Sequence, residues 1–263
     1  MKLKFLFCFI FFGSTLSAQI TRFEQSNGTE SAPYFEGIKW WENFAKKHSD
    51  VSLEKNRSTD IGQPLHLITM TNFPKTITKE AISNKTIILI NNAIHPGEPC
   101  GVDASVKLAK QFLEDNVLPE KLTVAIIPMY NIGGATNRSC CSRANQFGPE
   151  EYGFRGNART LDLNRDFIKC GSKNARAFVK LFREWDPNVF VDTHTSNGAD
   201  YQHVMTLITT QTDKLNPALG QFVVDEMRPK LFEGMKGKNY PMVPYMHGIG
   251  KTPKEGIMDY LKV

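Results

Sequence analysis

Four stretches of the chain are almost continuously apolar and rich in β-branched residues: 65–70 (LHLITM), 86–91 (TIILIN), 122–128 (LTVAIIP) and 188–193 (NVFVDT). A run of this kind, too short for a helix and without polar alternation, predicts a strand buried on both faces of a sheet. Between the runs the period changes. Ile38, Trp41, Phe44 and Ala45 recur at helical spacing and predict a helix over 36–48. Val102, Val106, Ala109, Phe112 and Leu113 predict a second helix, and Ala175, Phe178, Val179, Phe182 and Trp185 a third. Asn216 followed by Pro217 marks the start of a fourth, since asparagine caps a helix and proline fits its first turn. Strands alternating with helices predict an α/β fold: a mixed, largely parallel sheet with helices on both faces.

The segment 129–171 breaks the pattern. It has little apolar periodicity but holds Gly133, Gly134, Gly148, Gly153 and Gly156, and five arginines up to Arg165. Loops of such length inside compact domains are usually functional.

The first residues change the picture of where the chain works. Lys2 and Lys4, an apolar block from Phe5 to Phe12, and the small residues Ser17 and Ala18 predict a signal peptide over 1–18, cleaved after Ala18. The mature chain, 19–263, then reads as one exported domain, periplasmic or extracellular, and is expected to be a monomer. No later stretch approaches the roughly 18 apolar residues of a membrane helix. The formal net charge of +5 falls to +3 with loss of Lys2 and Lys4, and the remaining basic residues are spread rather than clustered, which argues against a nucleic-acid partner. Neither an internal repeat nor a low-complexity tract is present. Four cysteines, Cys100, Cys140, Cys141 and Cys170, remain after cleavage. They allow three disulfide pairings, among which the sequence does not choose, and none of their spacings suits a thiolate zinc knuckle.

The candidate chemistry lies just after two of the predicted strands. His95 and Glu98, in HPGE, follow 86–91, and His194 follows 188–193. Ligands of open α/β sheets bind at the carboxyl ends of strands. Two histidines with one carboxylate leave a tetrahedral zinc ion one open position for water, the donor set of a hydrolytic site. A lone H-x-x-E is a weak signal, and a histidine after a strand is often only a turn residue. The intervening LDLNRDF, 161–167, gives both more weight.

The ordered set H-x-x-E, D-x-N-R and a distal histidine resembles the zinc carboxypeptidase family of the carboxypeptidase A type, from about residue 36 to the end. The resemblance implies one zinc ion held by His95, Glu98 and His194. It implies that Asn164 and Arg165 hold the substrate's terminal carboxylate, a task suited to the fork of a guanidinium. It makes Asp162 the partner of the His95 ring. Arg155 is the best match to the arginine that stabilises the oxyanion, with Arg138 and Arg159 as alternatives. The implied reaction is attack of a zinc-activated water on the last peptide bond of a peptide with a free C-terminal carboxylate.

One part of the pattern is not found. The family's general-base glutamate lies on a strand well beyond the last histidine and is preceded by a tyrosine. Of the later acids, Asp213, Asp225, Glu226 and Glu233 fall in or beside the predicted fourth helix, while Glu255 and Asp259 fall in a loop entering a short helix; Asp200 remains, and none of these is assigned as the base. Tyr245 and Tyr260 are the nearby tyrosines. The sequence therefore reads as a chain that stops short of the base, or as a relative that keeps zinc without catalysis and binds peptide carboxylates. A zinc deacylase or amidase acting on acyl amino acids or cell-wall peptides is the remaining alternative.

Overall fold

The computed structural model describes residues 19–72, 85–143, 146, 148–196 and 202–245; the expected signal peptide, Asp200, Glu255, Asp259 and Tyr260 lie outside them. Two compact units are present, Met1–Thr195 and Ser196–Val263.

In the first unit a short turn of helix, α1 (Arg22–Gln25), precedes α2 (Tyr34–Lys47). The strands β1 (Val51–Ser58) and β2 (Pro64–Thr71) follow, then β3 (Thr86–Asn91), α3 (Cys100–Glu114) and β4 (Leu122–Ile127). The long segment contains α4 (Ile132–Thr136), the strand pair β5 (Arg138–Ser139) and β6 (Tyr152–Gly153), and a 3-10 turn over Leu163–Arg165. Helix α5 (Lys173–Trp185) and β7 (Val189–Asp192) complete the unit. All four sequence-predicted strands are present, and the three helices predicted for this unit match α2, α3 and α5.

The sheet is mixed, in the order β1-β2-β4-β3-β7. The pairs β1–β2 and β2–β4 are antiparallel, β4–β3 and β3–β7 parallel. Side-chain alternation along the central strands builds two cores. Val124 and Ile126 pack with Ile68 and Met70 against Trp40, Trp41 and Phe44 of α2 and Val106 and Ala109 of α3. Ala125 and Ile127 point the other way and pack with Leu65, Leu67 and Leu89 against Ala177, Phe178 and Leu181 of α5. A strand that serves both cores has no solvent face to carry polar residues, which is why these runs read as continuously apolar.

Two features differ from expectation. β1 was not predicted, because as an edge strand beside β2 it interleaves polar residues such as Glu54, Lys55 and Asn56. β7, expected to be buried on both faces, leaves Phe190 and Val191 each more than a third exposed. Among the described residues it pairs only with β3, and Phe190 is covered on one side by Phe178 and Phe182. Of the cysteines, Cys140 and Cys141 are joined in a disulfide, while Cys100 and Cys170 are free.

The second unit pairs β8 (Met205–Leu207) in parallel with β9 (Met242–Pro244). Between them α6 (Pro217–Phe222) runs through a π-helical turn, Val223–Met227, into α7 (Arg228–Gly237). Asn216 caps α6 by accepting the Leu219 N–H, and Pro217 stands at its start, as the sequence predicted. Asp225 and Glu226 fall in the π turn and Glu233 in α7.

Candidate metal centre

The site is built at the carboxyl ends of β3 and β7. Beyond β3 the Asn92 N–H donates to Ile127 O at 3.1 Å, and Ala93 then takes a left-handed conformation (φ 54°), uncommon for a residue with a side chain. That bend turns the chain out of the sheet. His95 O then accepts the Glu98 N–H at 2.9 Å, which folds HPGE into a tight turn at the mouth of α3. Helix α3 sits close against β7: a Cβ on Gly101 would lie 2.1 Å from Thr193 Oγ1. This approach, which only glycine permits, brings His194 to Glu98. Buried Asn92 ties the three elements together, donating to Ser105 Oγ at 2.8 Å and accepting from Thr193 Oγ1 at 2.9 Å.

His95, Glu98 and His194 converge, with one candidate ligand atom from each within 4.8 Å of the others. His95 Nδ1 lies 3.1 Å from Glu98 Oε1, and His194 Nδ1 lies 2.9 Å from Glu98 Oε2. The opposite ring nitrogens also face carboxylates: His95 Nε2 is 3.1 Å from Asp162 Oδ1, and His194 Nε2 is 3.0 Å from Asp192 Oδ2. A carboxylate behind each ring holds an Nε2–H, so that Nδ1, which donates to Glu98 in the metal-free protein, is the nitrogen that can give up its proton to a metal, as in carboxylate–histidine–zinc arrangements. The donor set fits a zinc ion, which His95 Nδ1, His194 Nδ1 and Glu98 would hold.

Charge reinforces the geometry. Burial would raise the Glu98 carboxyl, but hydrogen bonds from His194, His95 and the Thr195 N–H outweigh it and hold the group well below the usual carboxylate range. Burial lowers the His194 pKa, yet Asp192 and Glu98 overcome that and raise it to about 9. Burial likewise raises Asp162 while His95 and Arg155 bring it below its ordinary value.

The arginines divide clearly. Arg155 donates from Nε to Asp162 Oδ2 at 3.0 Å, and its Nη1 lies 3.4 Å from His95 Nδ1, beside the ligand cluster. Arg138 instead donates to Ser31 O and Glu151 O, and Arg159 to Gly171 O, so both alternatives are engaged elsewhere. Asn164 follows Asp162 on the 3-10 turn, its N–H donating to Asp162 Oδ1 at 3.0 Å. Among the described residues the exposed Arg165 donates to Asn164 O. Two neighbours of the cluster escaped the sequence reading. Arg143 donates to Glu98 Oε1 at 2.8 Å with only 10% of its side chain exposed, and Asp192 backs His194. Arg143 belongs to no recognisable spacing, whereas Asp192 was legible as D-x-H at the end of a strand.

A mixed α/β sheet carrying a His–Glu–His cluster at the carboxyl ends of two parallel strands defines a metal-dependent class of protein. The chain belongs to the zinc carboxypeptidase family, whose model matches residues 37–215. Among solved structures it resembles a metallo-carboxypeptidase from Burkholderia cenocepacia, with a TM-score of 0.58 and 18% identity over 83% of this chain and 54% of that one. A metallo-carboxypeptidase from Pseudomonas aeruginosa, in complex with (2-guanidinoethylmercapto)succinic acid, matches with a TM-score of 0.57 and 15% identity over 82% of this chain and 51% of that one. Carboxypeptidase A from Helicoverpa armigera gives 0.56 and 13% identity over 82% and 58%. At such identities the likeness is one of fold. The chain spans about half the length of the Burkholderia cenocepacia and Pseudomonas aeruginosa structures. No curated protein matches the chain.

Proposed function

We propose that this chain carries the metal and carboxylate-recognition sites of an exported zinc metallocarboxypeptidase that removes the C-terminal residue of a peptide. The observation that carries the reading is the convergence of two imidazole Nδ1 atoms on one buried carboxylate, with Asp162 and Asp192 fixing the far side of each ring. Zinc held there supplies Lewis acidity that acidifies a water and polarises a carbonyl. Arg155, already beside His95 Nδ1, offers N–H donors to charge developing on the scissile carbonyl oxygen. Asn164 and Arg165 receive the terminal carboxylate, and the exposure of Arg165 leaves its guanidinium accessible to it.

Asp162 and Asp192 each spend an oxygen on an imidazole nitrogen, so neither is free to take the proton of the attacking water. In this reading the proton acceptor is a different group. Export rests on the lysines, apolar block and small residues of positions 2–18; N-terminal sequencing of exported protein is expected to begin at Gln19. Among the described residues no helix is long and apolar enough to cross a membrane.

The activity test uses the protein with paired peptides, one C-terminally free and one amidated. Release of the last residue from the free peptide alone supports the reading. Equal cleavage of the amide would favour an amidase, and zinc-dependent peptide binding without turnover would favour a non-catalytic binder.

A further inference from the structure

His194 is the more exposed of the two ring ligands, with 32% of its side chain accessible against 3% for His95. An exposed imidazole has rotamers and tautomers to choose from, so something has to hold it. We infer that Asn91 and Asp192 form a two-residue latch that orients His194 for metal binding, with Asp192 as the positioning residue and Asn91 as its anchor. The inference rests on the zinc reading above.

The latch follows from strand register. β3 and β7 run parallel with Asn91 opposite Asp192, so their side chains emerge side by side at the end of the sheet. Asn91 Nδ2 donates to Asp192 Oδ1 at 2.9 Å. Asp192 Oδ2 is then left facing His194 Nε2 at 3.0 Å, and His194 Nδ1 faces Glu98. Each Asp192 oxygen thus has one task.

An incidental strand-end ion pair would need no such anchor. Asn91 is fully buried, and its Oδ1 finds no hydrogen-bond partner among the described residues. Rotating the amide would turn that oxygen toward the Asp192 carboxylate and lose the Nδ2 donor to Oδ1. An unsatisfied buried acceptor is costly, and here it accompanies an amide whose NH2 is directed at Asp192. The carboxylate in turn fixes the His194 tautomer with the proton on Nε2 and raises the basicity of Nδ1, which favours a bound metal.

The test is zinc affinity by chelator competition, measured for the wild type, Asp192→Ala, Asp192→Asn and Asn91→Ala, together with thermal unfolding of each metal-free protein. Asp192→Ala is expected to raise the zinc Kd about 10- to 100-fold. Asp192→Asn keeps an acceptor oxygen but no charge and is expected to fall between it and the wild type, while Asn91→Ala shifts the Kd in the same direction by less. NMR of the zinc-loaded protein supplies a readout that loss of packing would not mimic: the His194 Nε2–H signal, protected in the wild type, exchanges freely in Asp192→Ala while that of His95 persists. If Asp192→Ala does not fold, Asp192→Asn and Asn91→Ala carry the test. A wild type that binds no zinc would overturn the metal reading itself. A wild type that binds zinc, with variants whose Kd and His194 signal are unchanged, would overturn the latch alone.

Discussion

The two histidine arms of the site reach the same chemistry by different routes. His95 is almost wholly buried, and its Nε2 partner, Asp162, comes from a turn on the far side of the long segment and also holds Arg155. His194 is one-third exposed, and its partner stands two positions earlier, at the end of β7. The first arm depends on a loop folding correctly, the second on strand register. Disruption of the first is therefore expected to cost both stability and metal, and disruption of the second mainly metal.

The largest expected effect is at the residue both arms share. Glu98→Ala removes the common carboxylate and leaves Arg143 buried without its described ion-pair partner, a change expected to cost about 3–5 kcal/mol along with zinc binding. Denaturant unfolding and metal content measure the two losses. Next is the contrast between the arms. Asp162→Ala strips both His95 and Arg155 of their acceptor and is expected to destabilise the metal-free protein by about 1–3 kcal/mol. Asp192→Ala should cost distinctly less stability for a comparable loss of zinc affinity. Equal stability losses in parallel unfolding curves would erase the distinction.

A pH series sharpens it further. His194 titrates near 9 in the folded metal-free protein, above the ordinary histidine value of 6.5. Its contribution to stability is therefore fully present below pH 6.5 and is lost as pH rises through 9. Zinc must displace that proton, so affinity should climb over the same window. In Asp192→Ala both trends should flatten, which urea midpoints and zinc titrations at pH 6.5 and 9.5 would reveal. The smallest structural effect is expected at Arg165. Arg165→Ala alters an exposed side chain and should change stability by less than about 0.5 kcal/mol, yet under the proposed function it should weaken binding of free-carboxylate peptides, read as a raised KM.

The strands and helices of the first unit were legible because burial leaves a periodic trace. β2, β3 and β4 serve two cores and have no polar face, and α2 shows its apolar stripe directly. β1 left no such trace, since an edge strand tolerates Glu54 and Lys55. Segment 129–171 was legible as a long glycine- and arginine-rich break in the apolar pattern but not as structure. Its order comes from particular hydrogen bonds, such as Asn131 Nδ2 to Arg155 O and Arg143 N to Tyr152 Oη, which carry no period. The three motifs named the residues that the fold gathers as a metal site, because H-x-x-E and D-x-N-R fix local spacing. Arg143 and Asn91 stayed hidden because their partners lie far along the chain, at Glu98 and Asp192. The Cys140–Cys141 bond stayed hidden for the opposite reason, since adjacency is not a spacing pattern at all.

The central claim is that both arms hold a single metal ion. Metal analysis of the purified protein tests it most directly, alongside His95→Ala and His194→Ala. The expected result is one zinc per chain in the parent protein and a marked loss in each variant. A folded parent protein without zinc, or a His95→Ala variant that retains it in full, would contradict the account.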